Sequence, residues 1–299
     1  MRTRVDLRAA RGFTLVEAIV SIVIIGILGA IVAVFIKAPI QGYADSVARA
    51  EAGDEADLAL RRMAREIRLA LPNSVRVNAD GSAIEFLLTK TGGRYLAAED
   101  EVDPANGTPL SFTDPDSLAF TVVGGLQADV AAGDYVVVYN LGPGLVPADA
   151  YAFNQAGVDR NIARLESASA GSAKLVMKTR NPFARDDPMP SPGSRFQIVS
   201  TPVTFQCAPE GSKFVLRRYA GYAIRNTMSD PMSNPAPGSA VLARRVSGCA
   251  NLFRYDAADL ELQRSALVLI TLVLTTRGAG DAGSGLVRLV HQVHVDNTP

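Results

Sequence analysis

The chain has 299 residues, with 30 basic and 30 acidic side chains in balance, 25 Gly, 17 Pro and two Cys. That length suits one or two domains with a sizeable core. Balanced charge, scattered aromatics and the lack of a basic domain or a zinc motif argue against a nucleic-acid-binding protein.

At the N-terminus, Arg2, Arg4, Arg8 and Arg11 form a basic leader against a single acid, Asp6, and the leader ends at Gly12. Ala18–Ile36 then runs for 19 residues without a charge. A helix of that length extends about 28 Å, close to the hydrocarbon thickness of a bilayer. Glu17 stands just inside the apolar segment. An acid in a membrane helix costs on the order of a few kcal/mol, less near the end of the span. Such a cost needs a partner. Cutting the chain after Gly12 would free an ammonium on Phe13, which could meet Glu17 of a neighbouring copy. Within one chain Glu17 has an alternative, the amides of its own helix N-terminus. Asp45, Glu51, Asp54, Glu55 and Asp57 follow the span, against Lys37 and Arg49. The positive-inside rule therefore puts the N-terminus in the cytoplasm and the rest of the chain outside.

Gly12-Phe13-Thr14-Leu15-Val16-Glu17, with basic residues before it and about 20 apolar residues after it, resembles the N-terminus of type IV prepilins and type II secretion pseudopilins. An ordinary secretory signal has an apolar core of about 7–15 residues and a small-x-small cleavage site after it. A plain signal anchor needs neither Glu17 nor the Gly12–Phe13 junction. The resemblance implies cleavage by a prepilin peptidase between Gly12 and Phe13, N-methylation of Phe13, and a part for Glu17 in subunit assembly. It also implies a pilin-like α+β fold: a long N-terminal membrane-spanning helix packed on an antiparallel β-sheet domain with long loops. The expected division is a cytoplasmic leader over 1–12, a helix over 13–72 with its membrane span at about 18–36, and a periplasmic β-rich domain over 73–299.

Residues 38–72 read as a continuation of the helix, with a kink expected at Pro39 and Gly42. Leu60, Met63, Ile67 and Leu71 lie three and four apart, which makes one apolar face, to be covered by a β-sheet. Asp57 with Arg61, and Arg62 with Glu66, are i,i+4 pairs on the other surface. Arg61, Arg62, Arg65 and Arg68 read either as a solvated helix face or as a partner contact. Pro72-Asn73 is expected to end the helix.

From Val75 the period changes to that of strands. The expected strands are 75–77, 83–88, 117–123, 135–140, 174–178, 195–199, 203–206, 214–219, 252–255, 267–276 and 286–295. Loops are expected over 99–116, 142–149, 181–194 and the Pro-rich 228–238. Ala266–Leu274 is apolar on both faces apart from Thr271, which suits a central strand buried from both sides. In 286–295, Val287, Leu289, His291, Val293 and Val295 share one face, while Arg288, Gln292 and His294 share the other. With a turn at 278–285, these two runs read as a hairpin at the heart of the domain.

Cys207 and Cys249 are an even, small count in an exported domain, which favours a disulfide over two separate buried thiols. Two Cys and two His at these spacings make no zinc site. His291 on an apolar strand face reads as a core or edge histidine. Asp100, Glu101, Asp103, Asp114 and Asp116, and again Asp186 and Asp187, gather acids as a calcium loop would. Their spacing does not fit an EF-hand, so they read as solvated loops. No nucleophile elbow, zincin helix or phosphate-cradling loop occurs. The expectation is a protein that is not an enzyme and carries no cofactor or metal.

Near the C-terminus, 202–207, 216–222, 246–249, 253–255 and 287–295 resemble a segment of the MshO proteins, accessory minor pilins of the mannose-sensitive haemagglutinin type IV pilus. That resemblance implies a minor pilin of the bacterial inner membrane, possessing a single span, which helps initiate a pilus and can stay at its tip. Its partners would be the prepilin peptidase, other minor and major pilins, an inner-membrane assembly platform and membrane lipid. A J-type minor pseudopilin of a type II secretion system, a PilW-like minor pilin or a pilus-tip adhesin would share the same architecture.

Overall fold

The computed structural model describes residues 12–100, 107–156, 160–228, 238–256, 265–276 and 285–299. The basic leader before Gly12, Glu101 and Asp103, most of the Pro-rich 228–238 loop and the 278–285 turn up to Gly285 lie outside these.

Helix α1 (Leu15–Ile67) is 53 residues long. Thr14 starts it. Its Oγ1 accepts the Glu17 N–H at 3.3 Å and its carbonyl accepts the Ala18 N–H at 3.1 Å, an N-cap arrangement. The backbone stays helical through Pro39 and Gly42, where the sequence leads to the expectation of a kink. The chain divides into two units at Ala50/Glu51. In the first unit the large apolar side chains from Phe13 to Ile36 are exposed all round. A helix that is apolar on every side needs lipid or other helices around it.

The second unit begins with the last turns of α1. Ala52, Ala56, Ala59, Leu60, Met63, Ala64 and Ile67 face a sheet and are buried with it in one cluster. Three of the four residues expected on the apolar face are there; Leu71 is buried in another cluster. The reason is that α1 ends at Ile67, short of Pro72. The Leu71 N–H donates to the Leu87 carbonyl at 2.7 Å, and the Thr89 N–H donates to the Leu69 carbonyl at 2.8 Å. Sheet pairing has taken over the backbone groups that a longer helix would have used.

Twelve strands follow among the described residues: β1 (Arg76–Val77), β2 (Ala83–Tyr95), β3 (Ala119–Val123), β4 (Tyr135–Val137), β5 (Ile162–Arg164), β6 (Lys174–Val176), β7 (Arg195–Glu210), β8 (Lys213–Ala220), β9 (Ala240–Val246), β10 (Phe253–Asp256), β11 (Ser265–Thr275) and β12 (Leu286–Asp296). All pairings are antiparallel, in the order β10-β11-β9-β8-β7-β2-β3-β6. β12 flanks β11, β1 flanks β2, and β4 joins β7 to β5. The layout is α+β, a long apolar N-terminal helix followed by an antiparallel β-sheet domain.

Two long strands, β2 and β7, run between the core under α1 and a second core. That second core gathers Tyr95, Phe120, Phe183, Phe196, Ile198 and their neighbours. Both strands are longer than the sequence pattern suggests. β2 continues through Gly92-Gly93 because the Phe196 ring lies against that backbone; a Cβ on Gly93 would stand 3.0 Å from it. β7 continues through Pro202, whose partner Leu87 sits beside a register shift, the kind of irregularity that tolerates a residue with no N–H. Two short strands, β5 and β9, lie where no strand is expected.

The C-terminal hairpin forms, with β11 and β12 paired over 11 residues each. It differs from the expectation in two ways. On β11 only Ala266, Val268, Ile270, Leu272 and Leu274 are fully buried, while Leu267, Leu269 and Val273 on the second face are half-buried. β12 pairs with β11 alone among the described residues, so it is an edge strand. His291 is half-buried on the inner face and His294 is exposed on the outer one, as alternation requires.

Candidate processing and assembly site

Gly12 and Phe13 precede the first helical turn and are not part of any regular element. A Cβ on Gly12 would meet nothing within 4 Å, and Phe13 is 71 % exposed. Gly12 and Phe13 are thus both exposed. Glu17 sits three residues after the cap, where its N–H is held by Thr14. Its side chain is exposed and has no hydrogen-bond or ion-pair partner among the described residues. α1 is long and apolar enough to cross a membrane, with an 18-residue window of mean hydropathy 3.2.

Cys207 on β7 and Cys249 just after β9 are bonded to each other, with Cα atoms 5.3 Å apart. The bridge ties the strand beside β2 to the far side of β8.

Among the described residues of the domain lies a buried charged cluster that sequence pattern did not indicate. The Glu85 side chain on β2 is 1 % exposed and pairs with Arg76 of β1, itself 13 % exposed. The Arg76 Nε–H donates to Glu85 Oε1 at 2.8 Å. Tyr222 Oη–H and Thr204 Oγ1–H donate to Glu85 Oε2 at 2.9 and 3.3 Å. The Arg76 guanidinium lies 3.7 Å from the centre of the Tyr151 ring and donates to the carbonyls of Arg225 and Asn226. Burial, and after it the charge of Glu85, push the Tyr222 phenol well above its ordinary range; the same two causes act on Tyr151. All the charges and donors here are matched within the protein, so the cluster is a pin that fixes residues 222–226 to the sheet. Alternation could not flag Glu85, because Ile84 and Phe86 on the other face are just as buried.

Further ion pairs dock α1 on the sheet. Glu66 accepts from Arg218 of β8 at 2.6 Å, and Glu55 accepts from Arg245 of β9 at 3.0 Å. Both expected i,i+4 pairs form, Asp57 with Arg61 at 2.7 Å and Arg62 with Glu66 at 3.4 Å. Of the acidic loop residues, Asp114 uses its carboxylate locally, accepting from the Asp116 N–H at 2.9 Å. No group of three or more metal-ligating side chains occurs among the described residues.

No curated protein and no solved structure matches the chain. Residues 7–33 match the prokaryotic N-terminal methylation motif, a stretch that contains Gly12, Phe13 and Glu17. The chain thus carries a type IV pilin-like methylation motif at the head of an apolar helix and, behind it, a large antiparallel β domain.

Proposed function

We propose that this chain is an accessory, minor type IV pilin-like protein that helps begin pilus assembly. A prepilin peptidase cuts it between Gly12 and Phe13 and methylates the new amino group of Phe13. The chain waits in the inner membrane on a single span, N-terminus in the cytoplasm and β domain in the periplasm. It then leaves the bilayer to join the helices of other pilins, with Glu17 as the charge that meets a freed N-terminus. The observation that carries this reading is the exposed Gly12–Phe13 junction one residue before a capped, apolar helix bearing one acid in its first turn. The Cys207–Cys249 disulfide supports an oxidising compartment for the domain. The choice of the mannose-sensitive haemagglutinin type of pilus rests on the resemblance of 202–207, 216–222, 246–249, 253–255 and 287–295 to MshO minor pilins.

The test is mass spectrometry of the mature chain, recovered from cells that contain a prepilin peptidase. The expected N-terminus is Phe13 carrying one added methyl group. Any other N-terminus, or an uncut leader, overturns the reading.

A further inference from the structure

Two arginines of the β domain gather on one aromatic ring. Phe153 lies in a short 3-10 turn, Ala150–Asn154, and its ring meets the Tyr135 ring of β4 edge-on at 4.8 Å. The guanidiniums of Arg160 and Arg164 lie 5.7 and 5.5 Å from the centre of the Phe153 ring. Arg160 donates one Nη–H to the Phe153 carbonyl at 2.6 Å, and Arg164 donates from Nε and Nη2 to Tyr135 Oη at 3.3 and 3.2 Å. Tyr135 is 6 % exposed, and its own hydroxyl proton has no acceptor among the described residues. Lys178 extends the row. Leu165 and Met177 pair and belong to the second core, so alternation turns Arg164 and Lys178 to the other face. The two stand on neighbouring chain segments, about 5 Å apart at the backbone, and both are exposed.

Arg160, Arg164 and Lys178 form no ion pair among the described residues, whereas Arg76, Arg218 and Arg245 each meet a carboxylate. Glu166, two residues beyond Arg164, pairs with none of the three, and neither does Asp187, whose carbonyl accepts from Arg185. Like charges this close repel. Stacking on a ring offsets only about 0.5–1 kcal/mol of that at an exposed site. An anion would relieve the repulsion and use the spare donors. We infer that this row binds an acidic polysaccharide, with carboxylates on successive sugars meeting Arg160, Arg164 and Lys178 and one of them accepting the Tyr135 proton. The arginine fork matches a carboxylate in two parallel bonds. One sugar unit is close in length to the spacing of Arg164 and Lys178, so neighbouring carboxylates reach neighbouring cations. Nucleic acid fits less well. Its bases need open aromatic faces, but Tyr135 is buried and the Phe153 ring carries guanidiniums. The row lies within the second unit and depends on neither cleavage nor helix assembly.

The experiment is fluorescence anisotropy of labelled tetragalacturonate with the full-length chain in neutral detergent. Saturable binding is expected, weakened at least about fivefold when salt rises from about 0.1 to about 0.5 M. Labelled cellotetraose, the neutral control, should not bind. Arg164→Gln should weaken binding about tenfold, the scale of a hydrogen bond to a charged group. Lys178→Glu, at an exposed position, should weaken it about fivefold. Arg68→Glu makes the same charge change at an exposed position on the segment after α1 and should leave binding unchanged. If Arg164→Gln, which gives up contacts with two rings, fails to fold, Lys178→Glu decides. No binding of tetragalacturonate, equal binding of cellotetraose, or tighter binding of a short single-stranded DNA overturns the inference. So does parent affinity in Lys178→Glu, or an equal loss in Arg68→Glu.

Discussion

Removing Glu85 while leaving Arg76 in place should cost the domain more than removing both. In Glu85→Leu, the Arg76 guanidinium loses the Nε–H···Oε1 bond of 2.8 Å and its counter-charge at a site 13 % exposed. The hydroxyls of Tyr222 and Thr204 lose the acceptor they share at 2.9 and 3.3 Å. Breaking one side of a buried pair costs about 3–5 kcal/mol. In the double variant Arg76→Met/Glu85→Leu no charge is stranded. The hydroxyls of Tyr222 and Thr204 lose their acceptor in both variants, so that loss cancels from the comparison; the double variant adds the lost contact of Arg76 with the Tyr151 ring and the lost donation to the carbonyls of Arg225 and Asn226, which are near enough to solvent for water to replace it, about 1–2 kcal/mol in all. The double variant should therefore be more stable than Glu85→Leu by about 2 kcal/mol. The assay is urea unfolding of residues 43–299 followed by far-ultraviolet circular dichroism, because the chain has no Trp to report on packing. A Glu85→Leu variant within about 1 kcal/mol of the parent, or a double variant less stable than the single one, would refute the reading of this cluster as a matched pin.

Three further outcomes are expected in the same assay. Cys207→Ala/Cys249→Ala opens a loop with a sequence separation of 42, which by loop-closure arithmetic lowers stability by about 4 kcal/mol; a loss below about 1 kcal/mol contradicts it. Gly93→Val drives a side chain into the Phe196 ring, where even a Cβ stands at 3.0 Å, and should cost about 1–3 kcal/mol without changing the fold. Stability should fall as pH rises past the ordinary tyrosine value of 10.0, because burial and Glu85 raise the Tyr222 and Tyr151 phenols in the folded state. A raised folded pKa contributes stability that is whole below the unfolded value and lost above it. Tyr222→Phe should flatten that alkaline loss, and an unchanged slope of stability against pH counts against the assignment.

The N-terminal part of the molecule was legible because its signals are local. A charge-free run with one acid just inside it needs no tertiary context to be read as the start of an apolar helix, whereas the Thr14 cap emerges only from the structure. The apolar face of α1 was legible for the same reason as far as Ile67. Leu71 fits the helical period, yet the backbone around it belongs to the sheet, because Leu87 offers a strand partner that sequence spacing cannot show. Strand extents failed where tertiary contact overrides a local breaker: Gly92-Gly93 under Phe196, and Pro202 beside a register shift. β9 reads Ala-Val-Leu-Ala-Arg-Arg-Val, a pattern without clear alternation, and is held by β8 on one side and the end of β11 on the other. The Arg76–Glu85 cluster was invisible because its members come from β1, β2, β7 and the segment after β8, and meet only when the sheet forms.

Glu17 is where the local and the collective accounts divide. Its N–H bond to Thr14 shows that the residue serves the start of its own helix, but that bond involves the backbone, and any residue at 17 could donate it. The carboxylate could interact with the unpaired amides of the first turn, worth about 0.3–1 kcal/mol at a helix N-terminus. An acid in a span costs up to about 3 kcal/mol at its centre and less toward the end, so a remainder is left for a cation to offset. Glu17→Gln separates the two. Glutamine keeps the size and can still accept from the first-turn amides, so the helix start and cleavage at Gly12 should be unchanged. What it cannot do is neutralise an ammonium. If the charge meets the N-terminus of a neighbouring subunit, a contact of about 1.5–3 kcal/mol is lost, and recovery of tagged partner pilins from membranes should fall at least about tenfold. Recovery equal to that of the parent, with Phe13 as the mature N-terminus in both, would mean that the carboxylate serves its own helix and that some other contact draws the chain out of the bilayer.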